Sequence, residues 1–214
     1  MQTILLATEN PGKIEEIEEI LESYRLHLVT PGTLGIVLRV VEDGRTYAEN
    51  AAKKALAFAR ASNLVAIGDD SGLEVEALDG APGIRSHRFA PWEGATDADR
   101  RRYLLERLKG QPHPPELRGW PACFHCTVAI AKPDGQTRFA EGDCPGLIIP
   151  EERGSKGFGY DPIFYLPEYQ QTMAELDMQE KNQVSHRGRA LRAAVPLIQQ
   201  ALAEWAQTGG PAHT

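Results

Sequence analysis

The stretch LLATENPGKIEEIEEIL, residues 5–21, holds the strand-to-helix transition on which the fold reading turns. A short apolar strand over residues 3–7 breaks at Thr8. Asn10 is a favoured N-cap and Pro11 a favoured first helical residue, so a helix opens there. It covers about residues 12–24 and lines up Ile14, Ile17, Leu21 and Tyr24 on one face. Lys13 then looks misplaced. A cation in the first turn opposes the helix dipole, at a cost of about 0.3–1 kcal/mol when exposed. Glu15, Glu16, Glu18 and Glu19 follow, and any of them suits that end better. The same helix start presents free backbone N–H groups, which is a ready anion site. Either an anion lies between Lys13 and those amides, or the lysine is solvated and points away.

Working outward, strands and helices alternate. Short strands are expected over residues 27–30 and 35–41. Thr46-Tyr47-Ala48-Glu49 fits a capping box that starts a second helix through NAAKKALAFARA. LVAIGDD reads as a buried strand ending in acid, and SGLEVEAL as a half-buried strand of alternating pattern. A long loop, DGAPGIRSHRFAPWEG, leads to a third helix capped at Thr96, with Tyr103, Leu104 and Leu108 on its apolar face. ACFHCTVAIAKPDGQTRFAEGDC reads as a β-hairpin around Asp134-Gly135. PIFYL is a last strand, a final helix runs over residues 185–207, and residues 208–214 read as a frayed tail. The alternation implies an α/β domain over residues 1–207.

The bulk numbers exclude several classes. The chain has 214 residues, 42% of them hydrophobic, enough for one large domain or two lobes sharing a core. A net charge of −7 argues against a duplex nucleic-acid surface, while a small anion needs only a local positive site. No apolar run is long enough to span a membrane, and the N-terminal residues lack the pattern of a signal peptide. Three cysteines do not make a disulfide framework. Cys123 and Cys126 sit on an expected strand, where their spacing sends the thiols to opposite faces. They read as small apolar residues in a reducing compartment.

Four segments carry residues suited to chemistry. In IGDDSG, Asp69 and Asp70 are costly beside an apolar strand unless solvated, capped or metal-bound. Hard carboxylate oxygens suit Mg²⁺, and one carboxylate can orient or deprotonate a water. Asp-Ser-Gly is also ordinary turn chemistry. Glu42 is a second candidate acid, or an exposed loop residue. In GSKGFGYDPIF, Phe158 lies between glycines, either stacking on a flat ligand ring or plugging the core. In EKNQVSHRGRAL, Ser185 is a candidate cap, with His186 and Arg187 in the first turn and Lys181 just before. Those donors are either simply exposed or face a ring that presents carbonyl oxygens.

Taken together, Thr8-x-Asn10-x-x-Lys13, DDSGL, APGIRS, EGDCPG, GFGYDPIF and SHRGRAL resemble the inosine triphosphate pyrophosphatase family. The similarity covers about residues 3–195. It implies an elongated mixed β-sheet flanked by helices, in two lobes with a central active-site cleft, as a cytoplasmic homodimer. The implied reaction takes ITP, dITP and XTP to the monophosphate and pyrophosphate with Mg²⁺. By the same resemblance Thr8, Asn10, Lys13 and Lys54 hold the triphosphate and Ser71 contacts substrate. Asp70 is the catalytic acid–base residue and a metal ligand, Glu42 is the other ligand, and Asp69 supports them at the metal. Phe158 stacks on the base, Gly159, Tyr160 and Asp161 line its pocket, and Lys181, His186 and Arg187 read its edge. Three features depart from the family pattern: His87 with Pro91-Trp92 in the long loop, Gly68 where alanine is common, and Val41 where a second glutamate often stands. Competing readings are a related pyrophosphatase acting on dTTP or UTP, a non-catalytic nucleotide-binding protein, and, least favoured, a nucleic-acid module.

Overall fold

The computed structural model describes residues 2–208. The expected tail therefore lies outside the described residues except for Thr208. In chain order the elements are β1 (Thr3–Leu6), α1 (Pro11–Leu21), β2 (His27–Val29), α2 (Tyr47–Ser62), β3 (Ala66–Val75), α3 (Asp97–Leu108), β4 (Trp120–Ala131), β5 (Thr137–Ile148), β6 (Phe164–Leu166), β7 (Gln171–Thr172), α4 (Met178–Val184) and α5 (His186–Gln207). The seven strands form one sheet in the order β2-β1-β3-β4-β5-β6-β7. β1 runs parallel to both β2 and β3. β6 is antiparallel to β5 and β7, so the sheet is mixed.

Chain contacts divide the molecule into two compact units. The first takes the residues up to Asp70, Cys126–Gly142 and the chain from Arg187 onward; the second takes Ser71–His125 and Asp143–His186. In the first unit the period-two alternation of the strands sorts the core into two layers. Ile4 and Leu6, Val65 and Ile67, and Cys126, Val128 and Ile130 pack with Ile17 and Leu21 of α1 and with Ala190, Leu191, Ala194 and Ile198 of α5. The alternate residues Leu5, Ala7, Ala66, Ala129 and Ala131 pack with Ala51, Ala55, Phe58 and Ala59 of α2. Helices thus cover both faces, as parallel strands require. The small side chains let α2 lie close. A Cβ on Gly68 would stand 2.8 Å from the Ala51 carbonyl and 3.0 Å from the Ala55 nitrogen. That approach accounts for glycine at this position.

The second unit has its own core of Leu73, Val75, Leu104, Leu108, Phe124, Ile148, Ile163, Phe164 and Met173. The capping box at α3 is complete: Thr96 accepts from the Asp99 N–H, and Asp99 accepts from the Thr96 N–H. At α2 the Thr46 hydroxyl accepts from the Glu49 N–H, but the Glu49 carboxylate bonds the Arg45 N–H at 2.6 Å. That cap is displaced by one residue.

The expected hairpin is β4–β5, with Gly135 at φ +100° in its turn. Among the described residues Cys123, Cys126 and Cys144 form no disulfide, and Cys126 and Cys144 are buried. Three expectations change. Residues 35–41 form no strand. Gly35, left-handed at φ +65°, ends a 3₁₀ turn, and the chain beyond leaves Val37 99% exposed. Only Ile36 and Val40 reach the core beneath α2, too few to align a strand. The acids of IGDDSG do not end a strand; they lie inside the single ten-residue β3. Lys181 does not precede the last helix in a loop. It belongs to α4, which has its own capping box of Asp177 and Glu180. The short β7 was also unforeseen, since two residues carry no readable period.

Candidate active site

In the first unit the opening segment is built as its sequence implies. The Asn10 side chain accepts the Lys13 N–H at 3.1 Å, and the Thr8 hydroxyl accepts the Asn10 N–H at 3.2 Å. Pro11 is the first helical residue. Lys13 is not solvated alone: its Nζ lies 2.9 Å from Asp69 Oδ2. The same carboxylate oxygen meets Arg187 Nε at 3.2 Å, and Arg187 Nη1 reaches Glu16 Oε2 at 2.5 Å. Arg187 is 2% exposed, and Glu16 and Asp69 are as deeply buried. Two acids and two cations thus form a chain under the helix start. Burial alone would raise the Asp69 carboxyl, but Lys13, Arg187 and Lys54 outweigh it and hold it well below the usual carboxylate range. Asp69 Oδ1 is buried with no hydrogen-bond partner among the described residues.

Asp70 is the next residue of β3, so its side chain leaves by the opposite face. It falls on the α2 side, where Asn50 Nδ2 donates to its Oδ2 at 3.0 Å. Burial pushes the Asp70 carboxyl up, against Lys54, Asn50 and Lys13, and the negative charge of Glu42 pushes the same way. Lys54 donates to Glu42 Oε2 at 2.9 Å. Its pKa is raised: burial would lower it, but Asp69, Glu42 and Asp70 prevail. Asn50 was not foreseen. It also accepts the Gly44 N–H at 2.8 Å, which ties the loop carrying Glu42 to Asp70. A polar residue among the alanines on the buried face of α2 was its available signal. Glu16 was likewise legible as an acid beside Ile17, within the buried stripe of α1.

The second unit gathers the aromatic segment. The Asp161 carboxylate accepts the Phe158 N–H at 2.9 Å and Lys181 Nζ at 2.6 Å. Lys181 Nζ stands 5.0 Å from the centre of the Phe158 ring. Gly157, at φ +72°, has no room for a side chain: a Cβ would lie 2.2 Å from Asp161 Oδ2. The Tyr160 hydroxyl donates to the Ser86 carbonyl at 2.9 Å, and burial raises its pKa. His186 stacks on Phe124 with ring centres 4.7 Å apart. Phe158 is half-buried rather than a core plug, and Ser71 is half-buried on β3.

Thr8, Asn10, Lys13, Glu42, Lys54, Asp69, Asp70 and Arg187 therefore lie in the first unit, and Ser71, Phe158, Gly159, Tyr160, Asp161, Lys181 and His186 in the second. The family model that matches the chain, over residues 4–197, is that of the Ham1 family. The chain belongs to the Ham1 family. Its Ham1 relatives include the dITP/XTP pyrophosphatase of Desulforamulus reducens, 48% identical, with 91% of this chain and 94% of that one aligned. The dITP/XTP pyrophosphatase of Listeria monocytogenes is 43% identical over 90% of this chain and 92% of its own. A solved HAM1 protein from Coxiella burnetii is similar at a TM-score of 0.82 and 40% identity, covering 94% of this chain and all of that one. The Mycobacterium abscessus structure called nucleoside-triphosphatase / dITP/XTP pyrophosphatase reaches 0.70 at 38% identity, over 92% of this chain and 100% of that one. The mixed sheet with flanking helices is thus the fold of the family. Among the described residues, no helix is long and apolar enough to cross a membrane.

Proposed function

We propose that this Ham1 protein is a nucleoside triphosphate pyrophosphohydrolase that converts ITP, dITP and XTP to the monophosphate and pyrophosphate. The observation that carries the reading is the split of two adjacent aspartates. Asp69 is paired with Lys13 and Arg187 and held below the usual carboxylate range, while burial raises Asp70, the direction that suits a base. The names of its relatives support the substrate class.

Thr8, Asn10 and Lys13 take the phosphates at the amides that open α1, and Lys54 assists. Asp70, oriented by Asn50, aligns a water and accepts its proton as the water attacks the α-phosphorus. Pyrophosphate leaves with its charge held by the two lysines. Catalysis is then mainly positioning and electrostatics. No group of three or more His, Cys, Asp or Glu side chains is placed around a common point among the described residues. A pair of carboxylates would suit Mg²⁺, which takes few protein ligands. The donor set fits: Glu42 is close enough to Asp70 that its charge pushes the Asp70 carboxyl up. They would hold Mg²⁺, with Asp69 behind them, and the ion would neutralise phosphate charge.

At the base, Phe158 stacks while Lys181 and His186 donate to the purine edge. Ser71 and the 158–161 segment complete its surroundings. Hypoxanthine and xanthine offer a carbonyl at position 6 where adenine has an amino group. Each donor left unpaired by adenine costs about 1–3 kcal/mol, so several give a large preference over ATP. Arg187 would have to release Asp69 and Glu16 to read the base as well. The family resemblance also supports a cytoplasmic homodimer, which sedimentation of the purified protein tests.

Pyrophosphate release is the assay. Turnover of ITP and XTP with Mg²⁺, abolished by EDTA and at least tenfold below these rates for ATP, is the expected result. A folded protein with no such release, or one with equal kcat/KM for ITP, XTP and ATP, overturns the reading. A preference for dTTP or UTP supports the pyrimidine alternative.

A further inference from the structure

The segment that carries Phe158 is held from outside itself, by the first turns of α3. Gly159 is left-handed at φ +64°, and its peptide is gripped at both ends. Its N–H donates to Asp97 Oδ2 at 2.8 Å. Its carbonyl accepts Arg101 Nη1 at 2.9 Å. Arg101 is fixed in turn by Glu152, which takes Nε at 2.9 Å and Nη2 at 3.0 Å. The other Asp97 oxygen accepts Arg100 Nη1 at 2.5 Å. Arg100 also donates from Nε to the His87 carbonyl and from Nη2 to the Ala95 carbonyl, both at 2.7 Å. One helical turn thus ties down two loops, the one with Phe158 and the one with His87 and Pro91-Trp92. Tyr160 links them again through Ser86. The anchors are charged, and the Arg101–Glu152 pair is bidentate, the geometry with most directional force.

We infer that Asp97 and Arg101 are positioning residues for base recognition: they clamp the Gly159 peptide so that the neighbouring Phe158 ring is held ready for a purine. This rests on the reading of Phe158 as the base-stacking residue. The bonds of both residues go to the Gly159 backbone, Arg100 and Glu152, so their loss is expected to fall on base binding rather than on the chemical step. Glycine at 159 follows from the clamp, since the left-handed backbone is what aims N–H and carbonyl at Asp97 and Arg101.

The test compares wild type, Arg101→Gln, Arg101→Lys and Glu152→Gln, with kcat and KM for ITP and amide exchange at Phe158 and Gly159. Arg101→Gln is expected to raise KM about tenfold with kcat changed less than about twofold, and to speed exchange at both amides. Arg101→Lys, which keeps one donor for the Gly159 carbonyl, recovers most of the affinity. Glu152→Gln gives a smaller effect of the same kind and keeps the test open if Arg101→Gln folds poorly. Wild-type KM and exchange in folded Arg101→Gln, or an equal fall in kcat with KM unchanged, overturn the inference. Absence of ITP turnover in the wild type instead overturns the base-stacking reading, and unchanged exchange in Arg101→Gln removes the clamp independently.

Discussion

Arg187→Met separates two roles for one residue. The Arg187 guanidinium meets Glu16 at 2.5 Å and Asp69 at 3.2 Å, and all three side chains are 3% exposed or less. Replacing it with an apolar chain of similar length keeps the volume but leaves two acids in a dry site. Removing one partner of a buried ion pair costs about 3–5 kcal/mol. Asp69 keeps Lys13 at 2.9 Å, which favours the lower end. In a chain of this size each kcal/mol moves Tm by about 2–4 °C, so the variant should melt about 6–20 °C below wild type. Scanning calorimetry at pH 7.5 measures it. The acid limb has a definite sign. Asp69 has a depressed pKa in the fold, so it adds stability above the ordinary carboxylate value of 3.8, lost as pH falls through its folded value. Without Arg187 one cation holding it down is gone, and acid unfolding moves to higher pH. Glu16→Gln in the same background removes one stranded charge. The double variant should recover more than about 0.5 kcal/mol relative to the sum of the singles. An Arg187→Met protein that melts within 2 °C of wild type while KM for ITP rises would refute the reasoning: the guanidinium would then read the base and lock nothing.

Asp70→Asn should lower kcat at least about 100-fold with the fold intact, as loss of a general base does. Because burial raises the Asp70 pKa, the charged carboxylate works against folding above pH 3.8. The Asn variant should therefore melt no lower than wild type at pH 7.5 and lose that advantage below the ordinary carboxylate range; a clear drop in Tm with high turnover contradicts both parts. Lys13→Ala should raise KM for ITP and also destabilise, by about 1–3 kcal/mol, because Asp69 loses a charged hydrogen bond. A gain in Tm would revive the helix-dipole argument that the sequence alone favours. Gly68→Ala forces a Cβ to within 2.8 Å of the Ala51 carbonyl and should cost about 1–3 kcal/mol, read in urea titration.

Most of the fold was legible because its signals are local. The caps at Asn10, Thr46 and Thr96, the alternating apolar faces and the Asp134-Gly135 turn each act over a few residues. What failed was what neighbours decide. GIVLRVV has strand composition, yet joins no strand among the described residues and leaves Val37 in solvent. The DDSG run looks like a turn because two acids and a glycine are poor strand formers. It stays extended because Lys13, Arg187 and Asn50 receive the acids from both faces. The helix of Lys181 was missed although Asp177 and Glu180 spell a capping box, because seven residues give too little period to read. At the site, the residue types were legible from motifs, but their partners were not. Glu16 lies 171 residues from Arg187, and no spacing rule spans that distance.

The misplaced lysine and the paired aspartates have one explanation. A strand alternates its faces, so two identical residues in sequence enter different environments. Asp69 enters the layer of α1 and α5, where Lys13 and Arg187 favour its charged form. Asp70 enters the layer of α2, where burial and the like charge of Glu42 raise its proton affinity against the pull of Lys54 and Asn50. On the proposed reading Asp70 uses that affinity as the base for water, and Asp69 is the counter-charge that orients Lys13 toward phosphate. Exchanging the two environments would remove both properties without changing the composition of the site. On that reading the order along β3 matters: the acid paired with Lys13 and Arg187 comes first, and the acid raised by burial follows it.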